Sequence, residues 1–195
     1  MKIEFGGGEN PRKPEYTQVD IRKLDNQTIV CPAWEIGDHV EENTVTDIFS
    51  RHFFEHVSRA NVKKLLKAWH KICVPGAIIE LICPNMKLHI WQWQNWENLT
   101  EDEREWCLAG FFGWQRDEDG GTDWDFHKNM YDIERITELL ERNGFHNIKQ
   151  VAPDWSPKLD KVLRTPSKTK NEKKARLNIQ KRYKNLHITF SPNKG

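Results

Sequence analysis

The chain has 195 residues, of which 37% are hydrophobic and 30% are charged, and this predicts a single domain over residues 1–195 with a sizeable core. No stretch approaches the roughly 18 apolar residues of a membrane span, and the N-terminus has no apolar signal region, so we expect a cytoplasmic protein without a membrane partner. The four cysteines are never in Cys-x-x-Cys spacing, which argues against structural zinc and a disulfide framework.

The net charge of +1 hides an asymmetry between the two ends of the chain. Residues 156–195 contain twelve Lys or Arg residues and two acidic residues, so the remainder of the chain is acidic. A basic block of this kind either binds a polyanion such as nucleic acid or forms a solvated loop. Both interpretations stay open for the basic insertion that we place at 157–184.

The first half of the chain alternates strand and helix patterns. Strands are predicted at Lys2–Phe5, Tyr16–Ile21, Thr28–Cys31 and Val45–Ser50. Apolar residues then follow helical spacing between Asn61 and Cys73. Pro75-Gly76 is predicted to end this helix and turn the chain. The next segment, Ala77–Cys83, is apolar almost throughout, which is typical of a strand buried on both faces.

The second half contains six of the nine tryptophans, all within residues 86–128. Thr100 and Glu103 form a capping-box pattern, so a short helix is predicted to begin there. A second amphipathic helix is predicted from Asp132 to Gly144, followed by strands at His146–Val151 and Leu186–Phe190. This alternation predicts an α/β protein with a doubly wound, mostly parallel sheet.

Ligands of such sheets bind at the carboxyl ends of the strands. Gly6, Gly7 and Gly8 follow the first strand, where glycine lets the backbone approach a ligand closely or simply allows a tight turn. Asp20 ends the second strand. Its carboxylate can accept hydrogen bonds from ribose hydroxyls or cap a turn.

These features, with Ser50-Arg51-His52-Phe53-Phe54-Glu55-His56 after the fourth strand, resemble class I S-adenosylmethionine-dependent methyltransferases, including members that act on small molecules and glycans. The resemblance implies a seven-stranded sheet whose antiparallel last strand lies beside the fifth, and S-adenosylmethionine as cofactor. It also implies the cofactor-binding residues, which are Gly6, Gly7, Gly8, Asp20, Trp34, Ser50, Arg51 and His52.

One feature departs from that family. Only about eight residues separate Gly8 from Thr17, and two prolines interrupt them, whereas a parallel crossover normally needs roughly a dozen residues or more. We therefore expect the first crossover helix to be reduced or absent. Arg12 and Lys13 are candidates to replace it in holding the methionine carboxylate.

Three histidines are candidate catalytic residues. His127 lies between aromatic residues and near Asp123 and Asp125, a setting that suits a general base whose ring one of these carboxylates orients. His52 and His56 are further candidate proton acceptors. Each histidine could instead cap a helix or bond to the backbone. We expect no metal site, because the end of the fourth strand carries too few carboxylates for magnesium.

The sequence favours a methyltransferase that methylates a hydroxyl of a sugar, glycan or small metabolite, with the Trp-rich segment 86–128 forming an acceptor cap. Aromatic faces there can stack on sugars or bases, or form a satellite core. Two other hypotheses remain. The basic insertion could grip nucleic acid as the methyl acceptor, or the fold could survive as a non-catalytic interaction module.

Overall fold

The computed structural model describes residues 1–26, 28–115, 125–151, 169–183 and 185–194, which form a seven-stranded sheet with flanking helices. The strands are β1 Lys2–Phe5, β2 Thr17–Asp20, β3 Ile29–Val30, β4 Val45–Arg51, β5 Cys73–Pro84, β6 Phe145–Gln150 and β7 Asn185–Pro192. The α-helices are α1 Arg59–Ile72, α2 Met86–Gln94, α3 Glu101–Phe112, α4 Ile133–Glu141 and α5 Lys170–Tyr183. Short 3-10 helices lie at Ala33–Asp38, Phe54–His56 and Trp96–Asn98.

The strand order is β3-β2-β1-β4-β5-β7-β6. The chain winds outward from β1 in both directions, through β2 and β3 on one side and through β4 and β5 on the other, and all of these pairs are parallel. Strand β7 is inserted between β5 and β6 and is antiparallel to both. The predicted sheet is confirmed, including its antiparallel last strand.

The hydrophobic core lies on one face of the sheet. Ile3, Ile48 and Ile79 are neighbours across three strands and point to this face, where they are essentially fully buried. Helix α1 covers them, and the Trp69 ring packs 5.3 Å from that of Phe5. Since burial of such side chains contributes about 1.5–3 kcal/mol each, this face supplies most of the hydrophobic stabilisation.

The opposite face of the sheet is different. Ile78 is 54% exposed, and the half-buried Glu80 and His187 are joined by a hydrogen bond of 2.8 Å. Within the described residues, the buried apolar side chains of α1 and α4 belong to the core of the first face. The prediction that Ala77–Cys83 is buried on both faces is therefore wrong. The charged residue Glu80 in the middle of the strand was the sequence signal that one face is not fully buried.

The connection from β1 to β2 contains no helix, as predicted. Buried side chains of the sheet hold it instead. The Glu4 carboxylate accepts hydrogen bonds from the backbone N–H groups of Arg12 (2.9 Å) and Lys13 (2.7 Å). The Gln18 amide donates to the carbonyl of Lys13 at 2.8 Å. These bonds satisfy backbone groups that a helix would otherwise pair internally.

Two local features differ from the sequence prediction. Pro75 and Gly76 do not turn the chain but lie inside β5, where the pairing with β4 shifts register. Helix α2 was not predicted. It begins at the Asn85 cap, whose side chain accepts from the backbone N–H of Lys87 at 3.2 Å. The predicted capping box of Thr100 and Glu103 is confirmed at the start of α3.

Residues 157–168 and 184 of the predicted basic insertion lie outside the described residues. The part from Lys170 to Tyr183 forms α5, which precedes β7. Gln180 of α5 is fully buried, accepts a hydrogen bond from Gln92 at 2.8 Å and donates one to Glu103. This polar chain fixes α5 against α2 and α3. None of the helices in the described ranges is both long and apolar enough to span a bilayer.

Candidate functional site

Two adjoining cavities lie at the carboxyl ends of the strands. The larger cavity has a volume of about 750 Å³ and the smaller one about 290 Å³. Gly6, Asp20 and Trp34 line the larger cavity, and His89, Trp106 and His127 line the smaller one. The residues that border both are His52, His56, Trp114 and Asp125. Ligands bound in the two cavities would meet at these shared residues.

Gly6 brings the backbone close to the larger cavity. Its φ is +69°, and its N–H donates to the carbonyl of Val19 at 3.0 Å. A Cβ atom at this position would lie 2.7 Å from the Phe53 side chain, so position 6 requires glycine both for conformation and for space. Gly7 and Gly8 continue the turn but are not among the residues that line the cavity.

Asp20 ends β2 and is 8% exposed. Its carboxylate accepts from the Arg22 side chain at 3.1 Å (Nε) and 3.1 Å (Nη2), and from the Arg22 backbone N–H at 3.0 Å. Asp20 therefore caps a turn, one of the two roles left open by the sequence. A carboxylate has about four acceptor positions, so one remains for a ligand hydroxyl.

The other predicted cofactor residues divide into two groups. Trp34 and His52 line the larger cavity, whereas Ser50 and Arg51 do not. Ser50 is fully buried, and its hydroxyl has no hydrogen-bond partner among the described residues. Arg51 is half-buried, and desolvation together with the nearby charge of Arg12 lowers the pKa of its guanidinium.

His52 follows β4 at the junction of the two cavities. Its φ of +50° is in the left-handed region, which is uncommon for a residue with a Cβ and recurs at functional sites. The backbone N–H donates to Ile82 at 2.8 Å, which ties this conformation to β5. The ring Nδ1 lies 3.2 Å from Oε1 of Glu55.

Glu55 is the buried centre of the histidine cluster, with 1% exposure. Burial alone would raise the pKa of its carboxyl, but the hydrogen bond with His52, and the attraction of the His56 and His52 rings when these are protonated, hold that pKa below its ordinary value. Nε2 of His127 lies 4.0 Å from Oε1 of Glu55. The carboxylate is thus ionised at neutral pH and surrounded by imidazoles.

His127 is oriented by a backbone carbonyl rather than by Asp125. Its Nδ1 lies 2.9 Å from the carbonyl oxygen of Gly110, which is in the last turn of α3 and so lacks an intrahelical partner. Asp125 instead accepts from the backbone N–H of Gln115 at 3.0 Å, and Asp123 lies outside the described residues. The prediction that Asp125 orients the His127 ring is therefore wrong.

Backbone bonds fix the segment that carries His127. The N–H groups of Lys128 and Asn129 donate to the carbonyl of Glu55 at 2.8 Å and 3.0 Å. Gly110 is required nearby, because a Cβ atom there would lie 2.2 Å from the His89 ring. This close approach lets α3 pack against α2 while its carbonyl reaches His127.

Burial keeps two of the histidines neutral at neutral pH. Desolvation is the main cause that lowers the pKa of His56 below its ordinary value, and the charge of His127 adds to it against the opposing charge of Glu55. Burial lowers the pKa of His89 to about 4. Nδ1 of His56 lies 3.1 Å from the carbonyl of Phe126 and donates to it in the neutral ring, which leaves Nε2 with its lone pair.

The tryptophans of segment 86–128 serve two purposes. Trp91 is buried with Leu88, Leu99 and Cys107 in a satellite core between α2 and α3. Trp106 and Trp114 line the smaller cavity. Trp124 lies outside the described residues.

Three residues of the site were missed by the sequence analysis. Glu55 was quoted only as part of a motif, and its burial among histidines depends on the distant His127. Glu4 gave a usable signal, a charged residue inside an apolar strand directly before the glycines. His89 gave none, because it lies on a helix that the sequence did not predict.

No protein-family model matches the chain, and no curated protein matches it by sequence. Solved structures do match. An S-adenosylmethionine-dependent methyltransferase from Archaeoglobus fulgidus is 13% identical with a TM-score of 0.58, over 97% of this chain and 85% of that one. One from Thermotoga maritima is 11% identical with a TM-score of 0.58, over 97% and 80%. Phosphoethanolamine N-methyltransferase 2 from Haemonchus contortus is 15% identical with a TM-score of 0.51, over 99% and 48%.

At these identities the similarity establishes the fold. The chain has the fold of class I S-adenosylmethionine-dependent methyltransferases, as the sequence predicted. The two cavities lie where ligands of parallel α/β sheets bind.

Proposed function

We propose that this protein is an S-adenosylmethionine-dependent methyltransferase that methylates a hydroxyl of a sugar, glycan or other small metabolite. The observation that carries the proposal is the junction of the two cavities at His52, His56, Trp114 and Asp125. A cofactor in the larger cavity and an acceptor in the smaller one would face each other there. The larger cavity has an ordinary volume for a cofactor site, within about 300–1,000 Å³.

The residues of the larger cavity suit the cofactor. The remaining acceptor position of Asp20 can take a hydrogen bond from a ribose hydroxyl, and Trp34 offers an aromatic face for adenine. The turn at Gly6 brings backbone groups to the cavity without a side chain in the way. When bound, S-adenosylmethionine supplies an electrophilic methyl group; the protein has to position the acceptor and remove its proton.

The histidines of the smaller cavity suit the second task. A hydroxyl is a poor nucleophile, and a base within hydrogen-bond reach assists its attack. His56 is neutral at neutral pH, and His127 is held by Gly110 with Nε2 directed toward Glu55. We assign proton acceptance to this cluster, with His127 as the first candidate base and His52 and His56 beside it.

The proposal is tested by calorimetric titration with S-adenosylmethionine and S-adenosylhomocysteine. We expect micromolar binding of both by the wild-type protein. Gly6→Ala should weaken binding at least tenfold, because the new Cβ displaces Phe53 at the cavity wall. Gly76→Ala is the matched control: its φ is +77°, but no atom lies within 4 Å of the new Cβ, so affinity should not change. No binding of either compound by folded wild-type protein would contradict the proposal and favour an interaction module.

One observation favours a nucleic-acid acceptor as the second candidate. Lys181 of α5 places its ammonium 5.7 Å from the centroid of Trp106, which lines the smaller cavity. A basic helix beside an aromatic wall is a surface that binds single-stranded nucleic acid. Strongly salt-dependent binding of an RNA or DNA oligonucleotide, lost in a Lys174→Glu/Lys181→Glu variant, would favour this candidate over a small metabolite.

A further inference from the structure

Glu55, His56 and His127 form a compact set of metal-ligating groups. One ligand atom from each of the three residues lies within 4.8 Å of the other two. The carboxylate is fully buried and the two imidazoles are half-buried beside the smaller cavity. The set joins the 3-10 helix that follows β4 to the segment that precedes α4. It was not anticipated from the sequence, in which no metal site was expected.

Both imidazoles are held in place by backbone carbonyls, in the way that protein metal sites hold their histidine ligands. Nδ1 of His56 lies 3.1 Å from the carbonyl of Phe126, and Nδ1 of His127 lies 2.9 Å from that of Gly110. Since a carbonyl only accepts, each neutral ring carries its proton on Nδ1 and its lone pair on Nε2. A backbone acceptor on the second ring nitrogen is the usual support of a metal-binding histidine.

Glu55 provides a second, independent indication. Its Oε2 is buried and has no hydrogen-bond partner among the described residues, whereas Oε1 accepts from His52. A buried carboxylate oxygen without a hydrogen-bond partner is costly. A cation bound by the carboxylate offsets that cost. The oxygen that lies 4.0 Å from Nε2 of His127 is Oε1, and the bond from His52 to this oxygen would orient the carboxylate as ligand.

We propose that Glu55, His56 and His127 bind a divalent transition-metal ion, with open coordination positions directed to the smaller cavity. Two imidazoles and one carboxylate favour ions such as Zn²⁺ or Mn²⁺ over Mg²⁺ or Ca²⁺. With ligand bonds of about 2.0–2.2 Å in tetrahedral geometry, donor atoms lie about 3.3–3.6 Å apart, so binding draws the side chains together by about 1 Å.

The role of the ion rests on the proposed function, but its binding does not. An ion at this position would hold the acceptor oxygen at the junction of the cavities and make its proton easier to remove. His127 would then bind the ion rather than the proton. His52, which borders both cavities, would remain as the proton acceptor.

The test is calorimetric titration of tag-free, chelator-treated protein with Zn²⁺, Mn²⁺ and Mg²⁺, without S-adenosylmethionine. We expect one Zn²⁺ or Mn²⁺ per chain with a dissociation constant of 10 µM or below, and weaker binding of Mg²⁺. His127→Ala and Glu55→Gln should each weaken binding at least tenfold, because even changes to residues that only support the ligands cost about 10- to 100-fold. His187→Gln is the matched control, because His187 and Glu80 form a His–Glu pair outside the cluster.

Cobalt substitution keeps the test independent of whether Glu55→Gln folds. Wild-type protein with one equivalent of Co²⁺ should show visible d–d bands that are absent from His127→Ala. Absence of stoichiometric binding, or equal affinity in wild type and His127→Ala, would overturn the proposal. The cofactor titrations are run separately. A protein that binds S-adenosylmethionine but no metal refutes only the metal site, and a protein that binds metal but no S-adenosylmethionine refutes only the proposed methyltransferase function.

Discussion

The two cavities are built in different ways, and each depends on one buried glutamate. Glu4 lies beside the larger cavity's glycine turn and accepts from two backbone N–H groups of the β1–β2 connection. Glu55 lies beside the smaller cavity and faces the side chains of His52 and His127. A buried glutamate thus holds a loop in one place and bonds the His52 imidazole in the other. Burial alone does not tell a structural carboxylate from a functional one; the identity of its partners does.

The largest effect is expected on the histidine side. His127→Ala should lower turnover by about 100- to 10,000-fold, the range for loss of a group that handles the acceptor proton. Affinity for S-adenosylhomocysteine should stay within twofold, because His127 does not line the larger cavity. Turnover is measured on an acceptor found by screening sugars and glycans with the wild-type protein. Unchanged turnover would remove His127 from the reaction.

On the cofactor side we expect a loss of stability. Glu4→Ala leaves the N–H groups of Arg12 and Lys13 without their acceptor and should lower the free energy of unfolding by about 3 kcal/mol, as for loss of two hydrogen bonds to a charged group. Urea denaturation measures it. Glu80→Ala is the control, because its partly exposed pair with His187 should be worth less than about 1 kcal/mol. Equal losses would show that the partly exposed Glu80, on the same face of the sheet, contributes as much to stability as the buried Glu4.

The smallest effect is a pH dependence from the buried histidine of α2. His89 has a pKa of about 4 in the folded chain against 6.5 ordinarily. Below pH 6.5 the unfolded chain therefore binds a proton that the folded chain does not, so stability falls as the pH falls toward 4. Between pH 7 and 5 the loss should be about 2 kcal/mol.

Urea midpoints across this pH range test that expectation. His89→Gln should flatten the decline in stability, whereas His39→Gln, at an exposed position, should leave it unchanged. A decline that is identical in wild type and His89→Gln would contradict the assignment to His89.

The strands and the glycine turn could be predicted because their signals are local. Apolar residues mark β1 and β4, the glycines directly follow β1, and Asp20 ends β2. Helix α2 could not be predicted, because its buried side chains do not form a single apolar stripe and include His89 and Gln92. Its cap at Asn85 was the only local signal that we identify within the described residues.

The histidine cluster was predicted only in part, for a physical reason. His52, Glu55 and His56 are neighbours in sequence, but His127 joins them through backbone bonds from Lys128 and Asn129 to the carbonyl of Glu55. Such bonds depend on no particular side chain and leave no pattern in the sequence. The carbonyl of Gly110, which orients His127, could not be predicted from the sequence for the same reason.

The helix-free connection between β1 and β2 has a consequence for how the chain folds. Glu4 and Gln18 are paired across these strands and lie only 14 residues apart in sequence. Because the entropy lost on closing a loop grows with its length, this parallel pair costs less to form than β1 with β4, where Glu4 meets Phe49. Parallel pairs are normally late, non-local events in folding. Here one of them joins strands that are close in the chain, so the parallel pairing of β1 with β2 requires little loop closure.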